Sequence, residues 1–164
     1  MRFEIQEIAT VKSPFTNLVD MPVQPNGAKD HYATIEFKEK YKDGLKDLNG
    51  FSHIYLIYYF HKVQEHKLSV VPFNDKNHKL RGVFSTRTPM HPNRLGLSIV
   101  ELVDIKENIV TIKGVDILDG TPLIDIKPYI ENFDKVEEEV TSGWMQATKE
   151  EVGRKKSDNR FVAL

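Results

Sequence analysis

The chain has 164 residues, 40% of them hydrophobic and 29% charged, with 23 Lys+Arg against 24 Asp+Glu. That length fits one domain able to bury roughly 70% of its extended-chain surface, and a formal charge of −1 excludes nucleic-acid binding driven by net charge alone, though not a local basic patch. Cysteine is absent, which excludes disulfides, thiolate zinc sites, iron–sulfur clusters and cysteine nucleophiles.

The N-terminus carries Glu4 and Glu7 where a signal peptide is apolar, and no run approaches the about 18 apolar residues of a membrane helix, so a cytoplasmic protein is expected. A first strand is predicted over Phe3–Val11, closed by Ser13-Pro14. Asn17–Asp30 holds Pro22, Pro25 and Gly27 and reads as a long loop, a length usually tied to function or disorder. Tyr32–Phe37 alternates as a strand, and Lys38–Asn49, with Tyr41, Leu45 and Leu48 at helical spacing, reads as a short amphipathic helix ending at Gly50. Phe51–Phe60 (FSHIYLIYYF) is the most apolar segment and is predicted as a central strand, with His53 a core histidine.

Leu68–Phe73 and Gly82–Thr86 are short extended candidates around a polar loop, Asn74–Lys79. Leu97–Ile105 and Ile109–Val115 flank a Lys-Glu-Asn turn and predict a hairpin. Leu123–Ile126 is a last short strand stopped by Pro128. Residues 1–140 are read as one domain. Residues 141–164, with the single Trp144, are read as an arm packed on it or extending from it. Many short strands without βα alternation predict a mainly β, barrel-like single domain with short peripheral helices.

Two segments carry candidate chemistry. Arg81–Gly96 (RGVFSTRTPMHPNRLG) has Arg81, Arg87, Arg94 and His91 and no acid; it is either a stiffened basic loop or an anion-recognising one. Val115–Tyr129 (VDILDGTPLIDIKPY) places Asp116, Asp119 and Asp125 among apolar residues around a turn. Asp119 fits a local turn contact, Asp125 a salt bridge, and either fits a ligand contact. His61 and His66 are five apart, off helical metal spacing, and no metal site is expected. His61, ending the apolar strand, is the better pocket candidate. No Walker, G-x-S-x-G or G-x-G-x-x-G pattern occurs, so a Rossmann fold is not expected.

The same residues carry a family resemblance. FSHIYLIYYFH (Phe51–His61), GVFSTRTPMHPNRLGLSIVEL (Gly82–Leu102) and DILDGTPLIDIKPYI (Asp116–Ile130), preceded by IATVKSPF (Ile8–Phe15) and Pro22-Val23-Gln24-Pro25, resemble the TsaA/TrmO family in order over Glu7–Asp134. The resemblance implies a small β-barrel methyltransferase using S-adenosyl-L-methionine. It also implies an acceptor at N6 of threonylcarbamoyladenosine beside the tRNA anticodon, and a homodimer with the cofactor near the subunit interface. The resemblance is to the short form, in which no additional C-terminal domain is expected.

The resemblance places Pro22, Val23, Gln24, Phe60, His61, Lys62, Arg87, Leu97, Ile117, Leu118, Asp119 and Gly120 around the cofactor. Asp119, Asp125 and His61 are the candidates for the group that assists proton loss from the acceptor nitrogen. His91, Asn93, Arg94 and Tyr129 are the acceptor-side candidates, with Tyr129 or Phe84 as a stacking surface. The family's R-P-N-P-[IL]-G stands here as His91-Pro92-Asn93-Arg94-Leu95-Gly96, a departure that bears on the acceptor more than on the methyl donor.

Overall fold

The computed structural model describes residues 1–19, 21, 28–157 and 161. In chain order its strands are β1 (Ala9–Lys12), β2 (Tyr32–Phe37), β3 (His53–Tyr59), β4 (Ser69–Val70), β5 (Arg81–Gly82), β6 (Leu95–Lys106), β7 (Ile109–Lys113) and β8 (Thr121–Pro128). Six of them close a barrel in the order β1-β2-β7-β6-β3-β8, every neighbour antiparallel, while β4 and β5 pair apart from it. The expected mainly β, single-barrel, non-Rossmann architecture is borne out.

Alternation decides which side chains fill the barrel. Ile54, Leu56 and Tyr58 of β3 face inward and meet Val11, Ile35, Val100, Val110, Ile112 and Leu123 in one core. Val115 and Ile117, between β7 and β8, close one end of it. The 60–94 connection has a small core of its own, Val63, Val70, Val83 and Met90, joined to the barrel through Phe60.

Several boundaries differ from the sequence expectation. The first strand is Ala9–Lys12 only, because Phe3 and Ile5 stay exposed and gain nothing from alternation. The predicted helix over Lys38–Asn49 is two 3₁₀ segments, Glu39–Leu45 and Leu48–Gly50, with Asp47 left-handed between them. Leu68–Phe73 pairs only at Ser69–Val70, Gly82–Thr86 turns into a 3₁₀ segment at Val83–Ser85, and β8 starts two residues earlier than predicted. His53 is exposed on the strand's outward phase, bonded to Ser52 and edge-on to Tyr129, and is not a core histidine.

The short helices α1 (Glu131–Asp134) and α2 (Lys149–Gly153) lie outside the barrel, and Thr148 and Glu151 form a reciprocal capping box on α2. Trp144 Nε1 donates to the Ser85 carbonyl at 2.8 Å, Lys76 pairs with Glu151 at 2.8 Å and the Ser157 amide reaches the Met21 carbonyl at 2.7 Å. Residues 144–157 therefore lie against the 60–94 connection and the segment before β2.

Candidate functional site

Antiparallel order sorts the connections to two ends. The 13–31, 60–94 and 114–120 connections all leave from the same end, where β1, β3 and β7 finish and β2, β6 and β8 begin. Phe60, His61, Lys62, Arg87, His91, Asn93, Arg94 and Ile117–Gly120 lie in these connections, three separate stretches brought to one barrel mouth. Pro22, Val23 and Gln24 belong to the first of them by sequence and lie outside the described residues.

Each connection is tied down by groups the sequence motifs contain. Asp119 Oδ1 accepts from the Ser13 amide at 3.0 Å, and the Asp119 amide donates to the Phe15 carbonyl at 2.7 Å. The Ser13 hydroxyl donates to the Ile117 carbonyl at 2.6 Å, and Gly120, left-handed at φ 75°, donates to Val11. Asp119 thus fastens the 114–120 connection to the one after β1. Ile117 and Leu118 are buried, so the surface they offer a ligand is largely backbone.

Arg94 sits at φ 52°, donates to the Val63 carbonyl at 2.7 Å and lies 5.0 Å from the Tyr59 ring centroid. Its guanidinium is engaged within the 60–94 connection. The His91 imidazole donates from Nε2 to the Thr86 carbonyl at 3.0 Å and packs edge-on against Phe84, which is 76% exposed. Arg87 is exposed and makes no hydrogen bond or ion pair with a described residue. It is an available fork donor for an anionic group. Burial, with the Lys62 charge adding to it, holds His61 below the usual imidazole value against a bond to the Tyr59 carbonyl.

Three candidates are not at the mouth of this chain. Asp125 lies mid-strand on the outer wall, paired with Lys127 at 2.8 Å. Tyr129 follows β8 at the opposite end, against His53 and Tyr55. Leu97 points outward from β6, 58% exposed, beside Ile57 of β3. Two open cavities, around Lys42–Lys46 with Ile105 and Glu107, and between Lys76 and α2, touch none of the candidate residues. Among the described residues no three carboxylates or imidazoles converge as a metal site.

The sequence reading missed a polar string inside the mouth. Tyr58 OH and Ser98 Oγ are 3.1 Å apart, and Ser98 Oγ donates to Asp116 Oδ1 at 3.2 Å. Because the serine proton goes to Asp116, the tyrosine is the donor to Ser98. Burial pushes the Asp116 carboxyl up to about 6, with Ser98 pulling the other way. Burial also raises the Tyr58 phenol, with the Asp116 charge adding to it and Ser98 and the Arg87 charge opposing. Elsewhere the Arg81 guanidinium and two backbone amides hold buried Asp75 down at about 2, which fixes the turn before β5. A glycine opening β6 and a lone acid between Val115 and Ile117 were the available signals for the polar string.

Comparison with known proteins follows the same segments. Residues 10–135 match the family described as tRNA-methyltransferase O N-terminal domain. A probable S-adenosyl-L-methionine-binding protein of Pyrococcus abyssi is 45% identical over 158 residues, covering 96% of this chain and 84% of that protein. The tRNA (adenine(37)-N6)-methyltransferase of Escherichia coli is 32% identical over 136 residues, covering 78% of this chain and 58% of that enzyme. The crystal structure of TrmO from Pseudomonas aeruginosa superposes with a TM-score of 0.72 at 30% identity, covering 87% of this chain and 62% of that one.

Proposed function

The chain belongs to the TrmO/TsaA family, and from that premise we propose that it is an S-adenosyl-L-methionine-dependent methyltransferase acting on N6 of threonylcarbamoyladenosine beside the tRNA anticodon. The observation that carries this reading is the assembly at one barrel mouth of three connections, with Arg87, which pairs with no described residue, among them. The residues suit the cofactor by chemistry. Phe60 offers an aromatic face, the Ile117–Gly120 backbone offers polar edges for a base, and Arg87 offers a fork for a carboxylate. Bound there, the cofactor would supply an electrophilic methyl group. The protein's own part is to hold the acceptor nitrogen in line at about 3–3.5 Å and to exclude water.

We assign the acceptor side to the loop ending in Asn93 and to exposed Phe84, a flat surface for a splayed anticodon-loop base. Arg94 and His91 support that loop from behind through Val63 and Thr86. This engagement favours, as a second reading, a different acceptor for the same methyl donor.

The proposed unit is a homodimer. Leu95, Leu97 and Ile99 of β6 are exposed side by side, next to Tyr55, Ile57 and Tyr59 of β3, an apolar wall that a second copy would cover. Leu97 would reach the cofactor only from such an interface.

The test is mass spectrometry of tRNA nucleosides after incubation of protein and methyl donor with threonylcarbamoylated and unmodified tRNA. A methylated threonylcarbamoyladenosine peak from the modified tRNA alone is expected. Methylation of another nucleoside supports the second reading, and no methylation of any tRNA rejects tRNA as the acceptor.

A further inference from the structure

We propose that Asp116 is the base of the methyl transfer, its carboxylate taking the proton that the acceptor nitrogen loses, with Ser98 and Tyr58 as positioning residues behind it. The inference rests on the reading of the barrel mouth as the methyl-transfer site.

The geometry narrows the choice. Asp125 is ion-paired on the outer wall, and Asp119 holds the Ser13 amide and keeps the mouth assembled. Asp116 stands between Val115 and Ile117, both buried, in the connection that closes the barrel. No cation pairs with it among the described residues, and Ser98 is the one described side chain that donates to it. The hydrogen bonds run one way, from Tyr58 through Ser98 to Asp116, so the string fixes the carboxylate's orientation and adds no second acid. Apolar side chains of similar volume would fill this space with less desolvation cost. The polar string is thus explained by a task that needs a carboxylate held in the connection at the mouth.

The step balances as follows. The acceptor nitrogen's lone pair forms the new N–C bond, and the carbon–sulfur electron pair leaves with sulfur as a neutral thioether. The nitrogen's proton passes to Asp116, giving a neutral carboxylic acid that returns it to water. A ureido-substituted adenine nitrogen is a weak nucleophile, so proton removal has to accompany attack. A desolvated carboxylate is a stronger base than a solvated one and is still ionised above neutral pH.

Among the described residues the charged and titratable groups around Asp116 are few. Tyr58 faces it from β3, and Arg87 acts on that phenol from the connection before β6. Asp119, three residues on, is tied to Ser13, while His61 and Lys62 follow β3 in the 60–94 connection.

The experiment measures kcat from pH 5 to 9 at saturating donor and tRNA, with donor affinity by calorimetry and carboxyl titration of the free protein by carbon-13 NMR. Expected are a wild-type limb near pH 6, an Asp116 resonance titrating at about 6 without ligand, and in Asp116→Asn a loss of the limb with kcat down about 100- to 10,000-fold. Donor affinity of that variant should stay within about threefold of wild type. Ser98→Ala, which keeps the base, should move the limb to higher pH, because the serine bond holds the value down. A purely structural Ser98 would change kcat without moving the limb, and that result overturns the assignment. So does kcat within about threefold of wild type in Asp116→Asn, or a limb that disappears in His61→Gln and persists in Asp116→Asn. Wild-type protein that binds donor and methylates no tRNA overturns the acceptor reading and this proposal together; methylation independent of Asp116 overturns this proposal alone.

Discussion

The Tyr58 ring lies where a side chain at Gly96 would be: a β-carbon at position 96 would fall 2.2 Å from Cε2 and 2.4 Å from Cζ of that ring. The two residues are register partners on β3 and β6, so the missing side chain of one admits the aromatic body of the other at the barrel mouth. The phenol is thereby held at Ser98, and Ser98 at Asp116.

Gly96→Ala should therefore cost more than a glycine-to-alanine change in a strand usually does. The ring must leave its place, and the Tyr58–Ser98 bond goes with it. Overpacking of this kind costs about 1–3 kcal/mol, a drop of about 2–12 °C in melting temperature for a domain of this size. Thermal denaturation of the variant measures it; an unchanged melting temperature would mean that Tyr58 has room to move.

The barrel was legible because Tyr32–Phe37 alternates with period two and Phe51–Phe60 is rich in aromatic and isoleucine side chains, and the strands these segments form, β2 and β3, each bury one face. Lys38–Asn49 misled because apolar spacing of three and four is shared by α and 3₁₀ turns, and Gly44 with left-handed Asp47 breaks the longer helix. The site segments were legible as loops rich in Arg, Pro and Asp. What each side chain does was not, because partners such as Ser13 and Asp119, or Val63 and Arg94, are far apart in sequence. Asp116 stood among the three carboxylates of its segment without a role, because a lone acid between two apolar residues looks the same whether it faces water or Ser98.

Arg87→Ala should weaken donor binding and leave the fold alone. The guanidinium is exposed and engages no described partner, so its removal costs no internal bond. A charge-assisted contact to a carboxylate is worth about 1.5–3 kcal/mol, or about 10- to 150-fold in affinity. Calorimetric titration with S-adenosyl-L-methionine, beside a melting curve, checks both halves. Unchanged affinity would remove Arg87 from the cofactor site.

Arg94→Ala should behave differently. The wild-type side chain holds the Val63 carbonyl and covers Tyr59, so the variant loosens the connection that also carries His61 and Lys62. A loss of about 1–2 kcal/mol of stability is expected, with donor and acceptor affinity both reduced. Arg94→Gly, which relieves the left-handed backbone, should melt higher than Arg94→Ala. Intact stability with a loss confined to tRNA binding would instead make Arg94 a direct acceptor contact.

Leu97→Asp tests the apolar wall. Wild-type protein should scatter light as about twice the 18.9 kDa chain mass. The variant should scatter as a single chain while keeping its β circular dichroism, since the side chain is outside the barrel. If the cofactor site needs the interface, donor affinity falls with the dimer. A variant that remains dimeric places the interface elsewhere.

Asp116 also gives the folded state a pH signature of its own. Its carboxyl is pushed up to about 6, so between roughly pH 4 and 6 the native protein keeps a proton that the unfolded chain has released. Stability contributed by this group falls as pH rises through that window and is flat above it; the full difference corresponds to about 3 kcal/mol at most. Asp75, Glu7 and Glu151 work in the opposite sense. Their hydrogen bonds and ion pairs hold them below the ordinary range, so stability is lost as pH falls through their folded-state values. Wild-type stability alone cannot separate the two trends, but the difference between Asp116→Asn and wild type can, because the other carboxylates are common to both. Asparagine keeps an acceptor for Ser98 and carries no charge. The variant should therefore gain little at pH 4, where Asp116 is already neutral, and about 1–3 kcal/mol at pH 8. Denaturant unfolding of both proteins at the two pH values measures the difference. An advantage that is constant with pH would mean that Asp116 ionises at its ordinary value and that the Ser98 end of the mouth is open to water.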